Sequence, residues 1–209
     1  VYLVGDVWKQ TSVEGLARVS DRLPQLMQHL AEASAHPADV SRAITTVADA
    51  LTQRLIELAY TEIGPPPIPF AWVALGSQAR HEMSIHSDQD NALVLSDDYD
   101  PLQHGPYFDQ LATFVCSGLD ACGFVYCPGD VMATTDRWRK PVATWRRYFR
   151  DWMDEPHPQS LMRASIFFDW RPVAGAVQLA HTLHDFVRQR TPNQSIFLAS
   201  LTVNALEHT

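Results

Sequence analysis

Apolar residues recur along the chain with two different periods, and the places where the period changes outline its elements. The opening VYLVGDVWKQ (1–10) reads as a strand entered midway. Leu16, Val19, Leu23, Leu26, Met27 and Leu30 then recur at helical spacing behind a capping-box pair, Thr11 and Glu14, which predicts one helix bent at Pro24. Over 37 to about 63, Val40, Ile44, Val47, Leu51, Leu55 and Leu58 share one face of a second helix, and Gly64 followed by three prolines stops it. These two helices are expected to pair as a hairpin.

Two short runs, FAWVAL (70–75) and NALVLS (91–96), are apolar throughout and bounded by turn formers, which predicts buried strands rather than helices. Residues 107–122 return to helical period through Phe108, Leu111, Val115 and Leu119, Gly123 ends that helix, and FVYC (124–127) predicts a third strand before the turn PGD. Beyond Pro141 the chain becomes helical in period and rich in Trp and Arg. IFFDW (166–170) is the remaining strand signal there, helices are expected over about 176–190 and 194–207, and a domain boundary is expected near 140. The fold class is therefore α/β (α+β). Trp138, Trp145 and Trp152 recur every seven residues, close to two helical turns, and read as one packing stripe.

Composition narrows the functions. An apolar fraction of 46% over 209 residues suits a globular chain with a core of fair size. The formal charge of −8, from 24 acidic against 16 basic residues, argues against a broad grip on nucleic acid, while leaving room for a small anion at one local site. No apolar run approaches the roughly 18–20 residues a membrane span needs, and no basic-then-apolar leader opens the sequence. Cys116, Cys122 and Cys127 form an odd set without CxxC spacing, so neither a disulfide framework nor a zinc knuckle is expected, and a reducing cytoplasm is the simplest setting.

The chemistry concentrates in GSQARHEMSIHSDQDNALVL (76–95). Side chains alternate along a strand, so Asp88 and Asp90 point the same way, about 6–7 Å apart along the chain. Two such carboxylates repel unless one is protonated or a cation bridges them, and hard oxygen donors of this kind suit Mg2+ or Mn2+. Gly76 lets the backbone approach a phosphate, Ser77 adds a hydroxyl donor, and Arg80, one helical turn on, can reach the same phosphates. Glu82 is placed to hold that arginine or to cap locally, and no chemistry is assigned to it.

Gly76-Ser77, ten residues, then Asp88-x-Asp90 resembles the signature of the DNA polymerase β-like nucleotidyltransferase superfamily. The longer string GSQARHEMSIHSDQDN, together with PPPIPFAWVALGS, CPGDVMATTDRW and IFFDWRPVAG, is similar to a branch related to the PII uridylyltransferases and glutamine synthetase adenylyltransferases, often found behind CBS and cyclic-nucleotide-binding domains. That resemblance implies a small mixed sheet flanked by helices and followed by a mostly helical segment. It implies residues 1–10 as the tail of a preceding CBS-like domain, 11–140 as the nucleotidyltransferase domain and 141–209 as the start of a helical substrate-binding domain. It also implies that Asp88 and Asp90 hold divalent metal, that Gly76 and Ser77 seat a nucleoside triphosphate, and that an acceptor hydroxyl attacks the α-phosphorus. A third carboxylate is implied as well, with Asp130 the candidate by strand order and Asp169 the alternative. The superfamily often has apolar residues where Gln89 and Asn91 stand here.

The expected partners are a nucleoside triphosphate and an acceptor, a regulatory protein among the candidates, with a homodimer among the assemblies to be tested. A module that binds a nucleotide without transferring it is the rival reading. The nine histidines lack metal-binding spacing and read as surface residues, with His86 the one near the acidic pair. The basic run RWRKPVATWRRYFR (137–150) reads as a solvated face, of which Arg137 and Lys140 would be the members to reach a triphosphate.

Overall fold

The structure, a computed structural model, describes residues 2–207. Its first element corrects the expected opening strand. Leu3 and Val7 are both buried, and their four-residue spacing places them on one face of a helix, α1 (Tyr2–Trp8). The single bent helix expected next is two helices, α2 (Val13–Ser20) and α3 (Leu23–Glu32), separated at Asp21 and Arg22. Ser12 rather than Thr11 caps α2, its hydroxyl accepting from the Gly15 N–H at 3.2 Å. Pro24 lies in the first turn of α3, where a missing N–H leaves no intrahelical bond unmade.

The long helix α4 (Pro37–Ile63) runs over the expected residues and ends at Gly64, whose φ of 84° lies in the left-handed region. FAWVAL and NALVL form β1 (Phe70–Leu75) and β2 (Asn91–Leu95), joined through the single-turn helix α5 (Gly76–Ala79). The helix α6 (Pro101–Ala121) begins well before residue 107 because Asp100 caps it, its carboxylate accepting from Leu102 N at 2.8 Å and Gln103 N at 3.3 Å. α4 packs chiefly against α6 and α1, and only lightly against α3, so the expected hairpin of neighbouring helices is replaced by longer-range pairing.

The third strand is not FVYC. Val125 and Tyr126 are exposed, and the segment contributes a single parallel bridge, Tyr126 to Gln89. The strand that extends the sheet is the short β3 (Arg139–Pro141), parallel to β2 with Leu93 opposite Arg139. After α7 (Val142–Asp154) and α8 (Pro158–Phe167), IFFDW divides: its first two residues end α8 and Trp170 opens β4 (Trp170–Gly175). The helices α9 (Val177–Arg190) and α10 (Ser195–Glu207) complete the chain.

The sheet is mixed and four-stranded, in the order β3-β2-β1-β4. β1 pairs antiparallel with β2, from Phe70 opposite Leu95 to Ala74 opposite Asn91, and antiparallel with β4 on its other side. Every residue of β1 and β2 is buried, as expected for strands covered on both faces. The Trp stripe packs as read from its spacing: Trp138, Trp145 and Trp152 are buried, and the Trp138 and Trp145 rings stack at 6.1 Å. Trp145 Nε1 also donates to the Leu93 carbonyl at 3.0 Å, tying α7 to the middle of β2. No helix among the described residues is long and apolar enough to cross a membrane.

Candidate functional site

The acidic pair sits just before β2, where the chain enters the sheet from an exposed loop closed by Ser84 and Ser87. Gln89 and Asn91 alternate with the aspartates and turn inward, with exposures of 2% and 1%. Gln89 Nε2 donates to the carbonyls of Cys116 and Phe124, both at 2.9 Å. Asn91 Nδ2 donates to Gln89 Oε1 at 3.3 Å, while Asn91 Oδ1 accepts from Ala133 N at 2.8 Å and from the Cys116 thiol. Polar residues at these two positions are thus satisfied internally, and they fasten residues 124–133 to the strand that carries the acids. The polar substitution relative to the superfamily pattern has a structural use.

That fastening brings in a residue to which the sequence reading assigned no role at the site. Asp88, Asp90 and Cys127 each present one ligand atom, and the three atoms lie within 4.8 Å of one another. The segment expected beside the aspartates does arrive there, but Cys127 offers the third atom of this group. Asp130 is exposed with φ of 54°, and it is its backbone carbonyl that is engaged, accepting from Trp138 Nε1 at 3.1 Å and from the Thr135 hydroxyl at 2.8 Å. The alternative, Asp169, is paired with Arg80 at 2.9 Å. A lone cysteine before a Pro-Gly turn carries no spacing motif, so only its return to the sheet reveals it.

Electrostatically the group is under strain as an anion. Burial raises the Asp90 carboxyl above its ordinary value, the negative charge of Asp88 adds to that, and the Cys127 thiol and the positive charge of Arg80 act against it. Burial, then the hydrogen bond to Asp90, pushes the Cys127 thiol up to about 11. Two carboxylates and a thiol crowded in this way fit a cation, which would relieve the desolvation and the repulsion together.

Gly76 stands directly opposite. Its φ is 52°, and a Cβ built on it would lie 2.9 Å from Asp90 Oδ2, so the turn after β1 closes against the carboxylate because no side chain intervenes. Ser77 is half-buried in α5, and its carbonyl accepts from Glu82 N at 2.8 Å. Arg80 donates to Glu82 Oε2 at 2.7 Å and Asp169 Oδ2 at 2.9 Å, and these contacts, Glu82 first, raise its pKa. Glu82 therefore holds Arg80, as its position suggested.

Behind the turn lies a network that sequence reasoning missed. Arg171 on β4 makes two contacts to Asp49 on α4, at 2.9 and 3.0 Å, and donates to the Gln78 carbonyl at 3.1 Å, while Gln78 Nε2 donates to Asp49 at 2.9 Å. Two elements remote in sequence, α4 and β4, thereby fix α5. Of the basic run, Arg139 is buried and holds the carbonyls of Ala133 and Thr134 while pairing with Asp109. Lys140 pairs with Asp136, and Arg137 lies over the Trp138 ring at 4.9 Å. The run is thus partly structural rather than wholly a solvated face. His86 is exposed, and its backbone N–H donates to Ser84 Oγ.

A small mixed sheet flanked by helices, with a glycine-serine turn after one strand facing an acidic pair before its neighbour, defines a nucleotidyltransferase-type domain. The chain belongs to the family described as Putative nucleotidyltransferase DUF294, whose profile matches residues 21–159. A comparison with curated proteins found no match.

Proposed function

We propose that the chain transfers a nucleoside monophosphate from a nucleoside triphosphate to an acceptor hydroxyl, with Asp88 and Asp90 holding Mg2+ or Mn2+. One observation carries the reading: the ligand atoms of Asp88, Asp90 and Cys127 lie within 4.8 Å of one another. Divalent metal bound there would offset the charge of the triphosphate and lower the pKa of the acceptor hydroxyl. Asp88 and Asp90 fix where the polyphosphate sits. Gly76 keeps the turn free of a side chain beside the acids, so that a phosphate can approach the backbone there, Ser77 offers a hydroxyl, and Arg80, oriented by Glu82 and Asp169, offers guanidinium N–H groups. The acceptor oxygen forms its bond to the α-phosphorus as the bond to pyrophosphate breaks, and the hydroxyl proton passes to solvent.

The broader setting belongs to the same proposal. The chain is read as part of a larger cytoplasmic signalling protein of the CBS-associated branch related to PII uridylyltransferases and glutamine synthetase adenylyltransferases. Residues 1–10 would be the tail of the preceding domain, 11–140 the catalytic domain and 141–209 the start of a substrate-binding domain. A regulatory protein is the proposed acceptor and a homodimer the proposed assembly. One observation favours a second reading, a nucleotide sensor without transfer: the third ligand atom beside the acidic pair is a thiol and not a carboxylate.

Mg2+-dependent ATP binding tests the site. Wild-type protein should bind in Mg2+ and lose binding in chelator, and Asp88→Asn/Asp90→Asn should not bind in either. Equal Mg2+-supported binding by both proteins removes the site from consideration. Pyrophosphate release with a panel of acceptors then separates transfer from sensing, because a sensor releases none.

A further inference from the structure

We propose that Asp88, Asp90 and Cys127 form a mixed oxygen and sulfur site for a borderline divalent cation, Zn2+ above all, which competes at this position with the hard cation that supports nucleotide binding. The inference rests on the nucleotidyltransferase reading only for the competition; the metal site stands on its own geometry. Two carboxylates alone select hard ions such as Mg2+, whereas a thiolate adds a donor that Mg2+ uses poorly and Zn2+ uses well. At a tetrahedral angle, Zn–S and Zn–O bonds of about 2.3 and 2.0–2.2 Å place the ligand atoms about 3.6 Å apart, so side-chain movements of about 1 Å close the group around one ion. The observed ligand atoms lie within 4.8 Å of one another.

Two further features mark the thiol as part of a built site. Cys127 is 9% exposed, and it is held toward the acids by the loop that Gln89 and Asn91 anchor, with its N–H donating to Met132 Sδ at 3.4 Å. On the turn after β1, Gly76 places no side chain against Asp90, where a Cβ would stand 2.9 Å from Oδ2. Three protein donors would leave a fourth tetrahedral position for water or a substrate phosphate. The thiol proton goes to solvent as the sulfur takes the metal. Cys116 and Cys122, buried elsewhere in the core, offer no such grouping among the described residues.

Three measurements on the full chain test this. Co2+ added to wild-type protein should give a thiolate-to-metal charge-transfer band and tetrahedral d–d absorption at one equivalent, and Zn2+ should abolish both. Competition against a chromogenic chelator should show Cys127→Ser weakened for Zn2+ by on the order of tenfold or more, while Cys116→Ser binds as wild type. Zn2+ should displace Mg2+-dependent ATP from the wild-type chain. Absence of the thiolate band in wild type overturns the proposal without recourse to any variant, and so does equal Zn2+ affinity in wild type and Cys127→Ser. If Co2+ and Zn2+ bind as expected but no Mg2+-dependent ATP binding exists, the nucleotidyltransferase reading fails and the metal site remains.

Discussion

Gly76 and Asp90 meet so closely that a Cβ on the glycine would stand 2.9 Å from the carboxylate Oδ2. The contact joins the two halves of the site, the turn after β1 and the acids before β2, and it places a steric demand on one backbone position. Gly76→Ala meets both a left-handed φ of 52° and this collision. The left-handed conformation costs a side-chain-bearing residue about 1–2 kcal/mol. The variant is expected to unfold at lower denaturant by that amount and to lose most Mg2+-dependent ATP binding, because Asp90 is the atom that must give way. Chemical denaturation and equilibrium binding measure the two. Normal binding in a destabilised variant would show that the turn does not shape the site.

Asp90→Asn should trade function for stability. Burial holds the Asp90 carboxyl above its ordinary 3.8, so its charged form is less favourable in the folded chain than in the unfolded one. For a group raised in this way, stability is full below the unfolded value and falls as pH rises through the folded value. The metal-free wild type therefore bears a penalty at neutral pH that asparagine removes. The variant should melt higher at neutral pH by roughly 2–4 °C for each kcal/mol gained, with the gap closing as pH falls toward the carboxylate range. Mg2+ should raise the wild-type Tm and leave the variant unmoved. A lower neutral-pH Tm for metal-free Asp90→Asn would contradict the buried-charge account.

What was legible in the sequence follows from how many residues each feature spans. The continuous apolar runs at 70–75 and 91–95 and the long amphipathic run at 37–63 each repeat one signal over many positions, and the structure forms all three as read. Short elements carry too few positions. With Leu3 and Val7 as its buried anchors, the opening fits both periods, and burial on one helical face decides it. β3 is Arg-Lys-Pro and β4 contains Pro172, compositions that look unlike strands until their edge positions are known. At the site, Asp88, Asp90 and Gly76 are neighbours in a compact motif. Cys127, Asp49 and Arg171 reach it through tertiary pairing, which no local spacing encodes.

The Asp49, Arg171 and Gln78 network should position the turn without touching a ligand. Hydrogen bonds to charged groups contribute about 1.5–3 kcal/mol, and Asp49→Ala removes the acceptor for both partners. Asp49→Ala is expected to lose about that much stability and to weaken Mg2+-dependent ATP binding, while Asp49→Asn, which keeps one acceptor oxygen, recovers part of each. Thermal melts and binding isotherms for the pair decide it. Identical behaviour of the alanine and asparagine variants would mean that the network fills space and does not orient α5.

Asn91 provides the sharpest test of how Cys127 is held. Its Oδ1 accepts the Ala133 N–H at 2.8 Å, and its Nδ2 donates to Gln89 Oε1, so one buried side chain ties the 124–133 segment to the strand. Asn91→Ala leaves a buried N–H without its acceptor and is expected to cost about 1–3 kcal/mol. Because the loss is local, the segment should open more often than the whole chain unfolds. Cys127, normally 9% exposed, should then react several-fold faster with a thiol reagent under native conditions, with peptide mapping locating the label. Cys122 lies in the helix C-cap after α6, outside the segment that Asn91 anchors, and its labelling rate serves as the internal reference. Faster labelling of both cysteines alike would indicate global destabilisation, and no change at Cys127 would mean that the loop is secured by Gln89 and Arg139 without Asn91.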